Sequence, residues 1–574
     1  MEQVKLYDTT LRDGMGGRGM SLSVGEKLKV AQALDALGVH FIEAGFPSSN
    51  PKEAELFERL AGVELENATI AAFGMTRRRD RAAADDEALT VLTSSFAPAV
   101  CLVGKSSPLH VEKVIRVSRE ENLAMIADSF AFCREQGKRA IFDAEHFFDG
   151  YREDSAYALE CVAAAVEGGA ENVTLCDTNG GSLPSFVAEA TAAVVAAVGA
   201  GVEIGIHTHD DSGCGVANSL AAVEAGARLV QGCVNGYGER CGNANLASIL
   251  PALQLKMGFE VVTPEQLASL TPTAHLLDEI CNLASDPDRP YVGRNAFAHK
   301  AGMHAAGVAA DASTFEHLDP AAVGNERDIV ASELAGKATI RSQAEHAGIE
   351  LDDEAATRAV QQLKEQEHRG YHYEAAPASF ELLLRREAGT YKPLFRLESF
   401  RVVVEKHADG EVITEATVKV EVDGERYFEA AEGNGPVNAL DKALRGAIAD
   451  RYPHLADVEL TNYKVRILDE AHGTGAVTRV ILDSSDNERE WGTTGVSENI
   501  IEASWEALVD SLEYAFQPRE QSGTPSERTD PARTAGHRRP RGGADLGGTA
   551  LRAALARADG GALRARVRRL ARCR

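Results

Sequence analysis

The chain has 574 residues, 44% of them hydrophobic and 26% charged, the balance of a globular protein too long for one core, so roughly two to four domains are expected. Its formal net charge of −27 argues against non-specific binding to nucleic acid or to anionic membranes, though not against an anionic substrate in a local positive site. The nine cysteines are scattered without CxxC spacing; they read as reduced thiols and point to a cytoplasmic protein.

The opening MEQVKLYDTTLRDG has no apolar run, so no leader peptide is expected. From residue 1 to 260, short β-rich runs alternate with helical patterns. The runs are VKLYDTT (4–10), HFIEAGF (40–46), TIAAFG (69–74), AVCLVG (99–104), RAIFDAEHF (139–147), NVTLCDT (172–178), EIGIHTH (203–209) and LVQGCVNGYG (229–238). One pattern between them, 23–38, puts Leu28, Ala31, Leu34 and Leu37 on one face and stops at Gly38; another spans 118–137. The Ala-rich stretch 186–202, broken by Glu189 and glycines, reads as a helix running into a strand rather than a membrane span. Eight strands alternating with helices predict an α/β fold with a parallel sheet, and eight is the number that closes a (β/α)8 TIM barrel; a doubly wound open sheet is the alternative.

Polar residues follow nearly every run: Arg12 and Asp13, Ser48 and Asn50, Lys105, Glu145 and His146, Asp177 to Asn179, His207 and His209, then Asn235, Glu239, Arg240 and Asn243. In a barrel these strand ends meet at the C-terminal face, where active sites lie. His207 and His209, two residues apart on a strand, project from the same face. Alone they are as readily a pair of core histidines as a metal site. With Asp13 and Asn243 they make one carboxylate, two imidazoles and one amide, a set that suits Mg, Mn or Zn without choosing among them.

Residues 261–390 turn helical and polar, with a conspicuous loop at 290–307 and a solvated helix at 351–371. Residues 391–517 read as an α+β module with an internal duplication, each half three strands and a helix, with Asn438 and Asn499 matched near the helix starts. The module has no acid/base cluster, which suits ligand sensing or dimerisation. Residues 518–574 form a basic tail rich in Arg, Ala, Gly and Pro, expected to be disordered and given no function.

DTTLRDG, IHTHDD and NGYGERCGNA together resemble the acyl-CoA-dependent Claisen condensing enzymes, the 2-isopropylmalate, homocitrate and citramalate synthases. IEAGFPSSNPKE, GKSSPLHV, FDAEHFFDGY, LCDTNGGSLP, RPYVGRNAFAHKAGMH and VGNERDIVASELAGK are most similar to the long-form (R)-citramalate synthases, from about Lys5 to Phe516. The resemblance implies a TIM barrel, helical linker subdomains and a C-terminal regulatory domain that senses branched-chain amino acids, in a homodimer. It implies condensation of acetyl-CoA with pyruvate and thioester hydrolysis to (R)-citramalate and CoA, on a route to isoleucine, with isoleucine a possible allosteric effector. The divalent metal would sit on Asp13, His207, His209 and Asn243. Arg12 would steady charge on the reacting oxygen, Thr178 would bond the substrate carboxylate, and Glu145 and His304 are the candidate bases.

Other residues near these carry plainer expectations. Glu239 and Arg240 read as a structural ion pair, His146 as packing, and Cys176, Cys214, Cys233 and Cys241 as small packing residues. His299 and Lys300 are either CoA phosphate contacts or part of an exposed loop. The chain departs from the family pattern at Gly16, where glutamine is usual, at Asp210, where an amide is usual, and at Phe315, where a tyrosine is usual. Asp210 therefore adds a carboxylate beside the expected metal. Two alternatives follow: the same chemistry on another 2-oxoacid, or an inactive amino-acid-sensing relative.

Overall fold

A computed structural model describes residues 2–300, 302–329, 335–468, 475–486 and 489–517. The basic tail expected at 518–574 lies outside the described residues. Strands β1 (Lys5–Asp8), β2 (Phe41–Gly45), β3 (Thr69–Met75), β4 (Ala99–Lys105), β5 (Arg139–Glu145), β6 (Asn172–Asp177), β7 (Glu203–Thr208) and β8 (Leu229–Gly232) form a closed barrel in chain order. All are parallel, and β1 closes on β8 with Lys5 opposite Leu229 and Asp8 opposite Gly232. The open-sheet alternative is thereby excluded.

The inner faces follow from the two-residue strand period. At the base, Tyr7, Phe41, Ala71, Ala99, Cys101, Ile141 and Leu229 form a buried cluster, with the Tyr7 and Phe41 rings stacked at 5.6 Å. One step up, Phe41 gives way to Glu43, Ile141 to Asp143, Gly205 to His207 and Leu229 to Gln231, all buried. On these four strands the floor is apolar or glycine and the next step up is polar. The outward residues join the surrounding helices in one large core.

Local signals set the helices. The helix Val24–Ala36 starts at a capping box of Ser23 and Glu26, and the chain leaves it through Gly38 at φ +87°. Ser118 caps Arg119–Glu135, and Asp352 caps Asp353–Arg369. The loop expected at 290–307 is only partly a loop. Ala298–His299 (β9) pairs in parallel with Asp328–Ile329 (β10), and Gly302–Ala310 is helical. The two glycines in that stretch masked an alanine-rich run of high helix propensity.

The C-terminal module holds two antiparallel sheets. β11 (Arg396–Lys406), β12 (Val412–Val422) and β13 (Glu425–Gly433) precede the helix Pro436–Ile448; β14 (Glu459–Ile467), β15 (Thr478–Ser485) and β16 (Glu490–Ser497) precede Ile500–Ala515. Alternate residues of the central strands, Val418 and Val420 in one and Val480 and Leu482 in the other, share a core with both helices. Asn438 and Asn499 both lie near their helix starts, as expected, but not at the same position. Asn499 caps its helix, whereas the other helix starts at Pro436 and Asn438 lies inside it. Proline already suits the first helical position, so that start needs no side-chain cap. Among the described residues, no helix is long and apolar enough to cross a membrane.

Candidate metal centre and active site

The turn after β1 folds back over the barrel mouth. Thr9 N–H donates to Gly232 O at 2.8 Å, and the buried Asp8 accepts from Thr10 N at 2.8 Å and Val234 N at 2.9 Å. Asp8 thereby ties the first turn to the last, and burial pushes its carboxyl up to about 6. Arg12 and Asp13 are held at the mouth by this turn.

His207 and His209 are both 5% exposed and converge as the strand period requires. Their Nε2 atoms lie 3.3 Å apart, and 3.3 Å and 3.5 Å from Asp13 Oδ2. After β8 the chain turns at Asn235 (φ +70°) and returns to bridge Asn243 to His209. Asn243 Nδ2 donates to Tyr237 O at 2.9 Å, while its buried Oδ1 has no partner. Burial works to raise the Asp13 carboxyl, but Arg12 and the two imidazoles outweigh it and hold it well below the usual range. Burial likewise works to neutralise His207, and Asp13 outweighs it upward. Two ring nitrogens and a carboxylate oxygen face one another here, and Asn243, bridged to His209 along the backbone, keeps an orphaned amide oxygen. That is a donor set short of a positive charge, and it fits a divalent cation.

Three buried residues that strand patterning alone did not assign a role support this centre. Glu43 bonds Arg12 Nε and accepts from Tyr7 OH at 2.7 Å. The Arg12 guanidinium also lies 4.1 Å over the Phe73 ring, which fixes it beside Asp13, 3.5 Å away. Gln231 Oε1 lies 2.9 Å from His207 Nδ1, and Gln231 Nε2 donates to Asp143 Oδ1 at 2.8 Å. Burial, then Glu43, push the Asp143 carboxyl up to about 6. The available signal was a polar residue in the middle of an apolar strand, as in FIEAG, IFDAE and LVQG.

The other expected site residues divide. Glu145, at the end of β5, pairs with Lys105 at the end of β4. Thr178 Oγ1 accepts from His146 N at 2.9 Å, which leaves its hydroxyl proton free to donate. His304 is exposed on the linker helix and stacks on Phe315, ring centroids 4.2 Å apart. It makes no hydrogen bond or ion pair with the described residues. Arg240 forks onto Asp211 at 2.8 and 3.1 Å and reaches Thr178 O at 2.8 Å; the expected pair with Glu239 is present at 3.8 Å, and Asp211 is the closer partner. His299 is buried against Glu316 at 3.1 Å rather than part of an exposed loop, and Lys300 bonds Glu374 at 2.7 Å. His146 stacks on His110 at 3.7 Å. Burial pushes the Cys176 and Cys233 thiols well up, which suits packing; Cys214 is half-buried and Cys241 exposed.

Two of the departures have a physical account. A Cβ at Gly16 would fall 2.7 Å from Glu239 Cγ, so Glu239 occupies the space a side chain there would need. Asp210 is engaged at a helix start: its Oδ1 accepts from Gly215 N at 2.6 Å, at the first residue of the helix Gly215–Glu224. Phe315 keeps the ring contact to His304 and lacks the hydroxyl.

Between the ends of β3, β4 and β5 lies a cleft of about 560 Å³ whose lining includes Glu145, Lys105, Met75, Val103 and the run Arg77 to Arg79 with Arg81. Arg77 is buried on Glu121 and Asp128; Arg78, Arg79 and Arg81 are exposed.

Residues 3–277 match the HMGL-like family, 291–370 the homocitrate synthase post-HMGL domain-like family, and 374–516 the LeuA allosteric (dimerisation) domain. An (R)-citramalate synthase of Synechocystis is 50% identical over 528 residues, covering 89% of this chain and 96% of that protein. One of Aquifex aeolicus is 46% identical, covering 91% and 99%. A probable 2-isopropylmalate synthase of Methanopyrus kandleri is 35% identical, covering 88% and 97%. By near full-length similarity and all three matching domains, the chain belongs to the (R)-citramalate synthase family of enzymes.

Proposed function

We propose that this enzyme joins the methyl carbon of acetyl-CoA to the keto carbon of pyruvate and hydrolyses the thioester, giving (R)-citramalate and CoA on a route to isoleucine. The observation that carries the reading is the convergence of Asp13, His207 and His209, with Arg12 3.5 Å from Asp13; the fourth ligand would be Asn243, bridged to His209 along the backbone and with its own oxygen unpartnered. Those four residues would hold Mg, Mn or Zn, which when bound supplies a Lewis acid for a 2-oxoacid.

The chain's own groups cover the remaining demands. Arg12, clamped by Glu43 and Phe73, is a fixed cation for the oxygen that gains charge as the carbon–carbon bond forms. Thr178 offers its free proton to the substrate carboxylate. Glu145, oriented by Lys105, takes the methyl proton of acetyl-CoA, and His304 reaches the mouth of a partner subunit's barrel to assist. The cleft at Glu145 suits acetyl-CoA, its apolar wall against the pantetheine arm and the exposed arginines against the phosphates. Apolar residues on the outer strands of the C-terminal module, including Val404, Phe428 and Ile467, are exposed and support a homodimer through that module, with isoleucine as its effector.

The similarity to a probable 2-isopropylmalate synthase favours one second reading, a larger 2-oxoacid as acceptor. A panel of 2-oxoacids assayed for CoA release with each metal separates the two, since a pocket gains only about 1–3 kcal/mol per methylene. Turnover with pyruvate foremost supports the proposal. Turnover only with a branched or dicarboxylic acceptor favours the second reading, and amino-acid binding without any turnover identifies a sensing relative.

A further inference from the structure

We propose that Gln231 is a positioning residue: it fixes the tautomer of His207 through a directed hydrogen-bond chain inside the barrel and so sets the affinity of the divalent cation site. This inference rests on the metal reading of Asp13, His207 and His209.

The chain can be followed donor by donor. Lys5 Nζ donates to Glu203 Oε2 at 2.9 Å, and Asn172 Nδ2 donates to Glu203 Oε1 at 3.2 Å. The other end of that amide, Asn172 Oδ1, accepts the Thr174 hydroxyl at 2.8 Å. With its proton committed, Thr174 Oγ1 is left to accept, and Gln231 Nε2 donates to it at 3.3 Å. Gln231 Nε2 also donates to Asp143 Oδ1 at 2.8 Å. Both amide protons of Gln231 are thus used, one on an Asp143 oxygen and one on a hydroxyl whose own proton goes to Asn172.

Only Gln231 Oε1 remains to face His207 Nδ1, at 2.9 Å. An oxygen there demands that Nδ1 carry the ring proton, which leaves the Nε2 lone pair aimed at Asp13 and His209. A flipped amide would put the proton on Nε2, where a cation has to bind. Asn172, Thr174, His207 and Gln231 are all buried, so water does not compete for these bonds. The route also depends on Gly205: a Cβ there would fall 2.3 Å from Thr174 Oγ1.

The test is Mn²⁺ binding by the full chain after chelator treatment, followed by titration calorimetry. Gln231→Met keeps the volume and removes the acceptor; it is expected to weaken Mn²⁺ by about 10–100-fold, the usual effect of losing a ligand's outer partner. The exchange Asp143→Asn with Gln231→Glu moves the carboxylate to position 231 and the donor amide to 143. An acceptor still faces His207, and the Thr174 hydroxyl can turn its proton from Asn172 to the carboxylate at position 231, so binding is expected to equal or exceed the wild-type affinity. The metal-free melting temperature shows that each variant is folded. Wild-type affinity in Gln231→Met overturns the proposal. An exchange variant that binds as poorly as Gln231→Met overturns it equally, and stands as the test on its own if Gln231→Met does not fold. A wild-type chain that binds no Mn²⁺, Mg²⁺ or Zn²⁺ overturns the metal reading and this inference with it.

Discussion

Arg12 shows how one side chain can serve both the fold and the chemistry. Its guanidinium is the counter-charge to the fully buried Glu43 and lies 3.5 Å from Asp13. Arg12→Gln should therefore lower kcat by about 10²–10³-fold, the scale of a lost oxyanion donor. It should also cost stability of about 3–5 kcal/mol by stranding a buried carboxylate, read as a drop in urea midpoint. Thr178→Val should instead raise KM for the 2-oxoacid, since a hydrogen bond to a charged group contributes about 1.5–3 kcal/mol, and should lower stability by about 1–3 kcal/mol because the His146 N–H loses its acceptor. Asp210 gives the opposite expectation. An asparagine oxygen can accept from Gly215 as the carboxylate does, so Asp210→Asn should change stability by no more than about 0.5 kcal/mol and leave turnover intact. Asp13, His207 and His209 were legible in the sequence because strand-end position and ligand chemistry coincide in them. Glu43, Asp143 and Gln231 were not given roles, because a polar residue in mid-strand has meaning only once the closed barrel shows that its face is the interior.

At the level of elements, all eight barrel strands could be read from β-rich runs separated by helical periodicity, and each lies within or overlaps its run. Their last residues were less legible. The run after Leu229 reads as β to residue 238, but the strand ends at Gly232, because the chain must turn at Asn235 to bring Asn243 back to His209. The helix at 302–310 was hidden for a different reason, its glycines being local breakers that tertiary packing overrides. The barrel interior makes its own demand on β7. Gly205→Ala should destabilise the fold by about 1–3 kcal/mol through overpacking against Thr174, measurable by denaturant melt.

For the whole molecule, the division of labour is between a barrel with a charged mouth and a module with two sheets; the module was expected to lack an acid/base cluster, but its Asp510 and Glu513 gather around Arg386, at 2.7 and 3.8 Å. The duplication in the module was legible because each half repeats three strands and a helix, and the structure gives each half its own antiparallel sheet. The difference at the helix starts, Pro436 against a capping Asn499, is a choice between two ways of meeting the same backbone need. The exposed apolar residues on β11, β13 and β14 are the predicted dimer contact, so Phe428→Glu should shift the protein toward monomer in light scattering.

The account stands most directly on CoA release from acetyl-CoA and pyruvate by chelator-treated enzyme, before and after Mg²⁺, Mn²⁺ or Zn²⁺ is restored. It predicts no release without metal, recovery with at least one of the three, and no recovery in Asp13→Ala. Release that chelation leaves unchanged, or no release with pyruvate under any of the three, would contradict it.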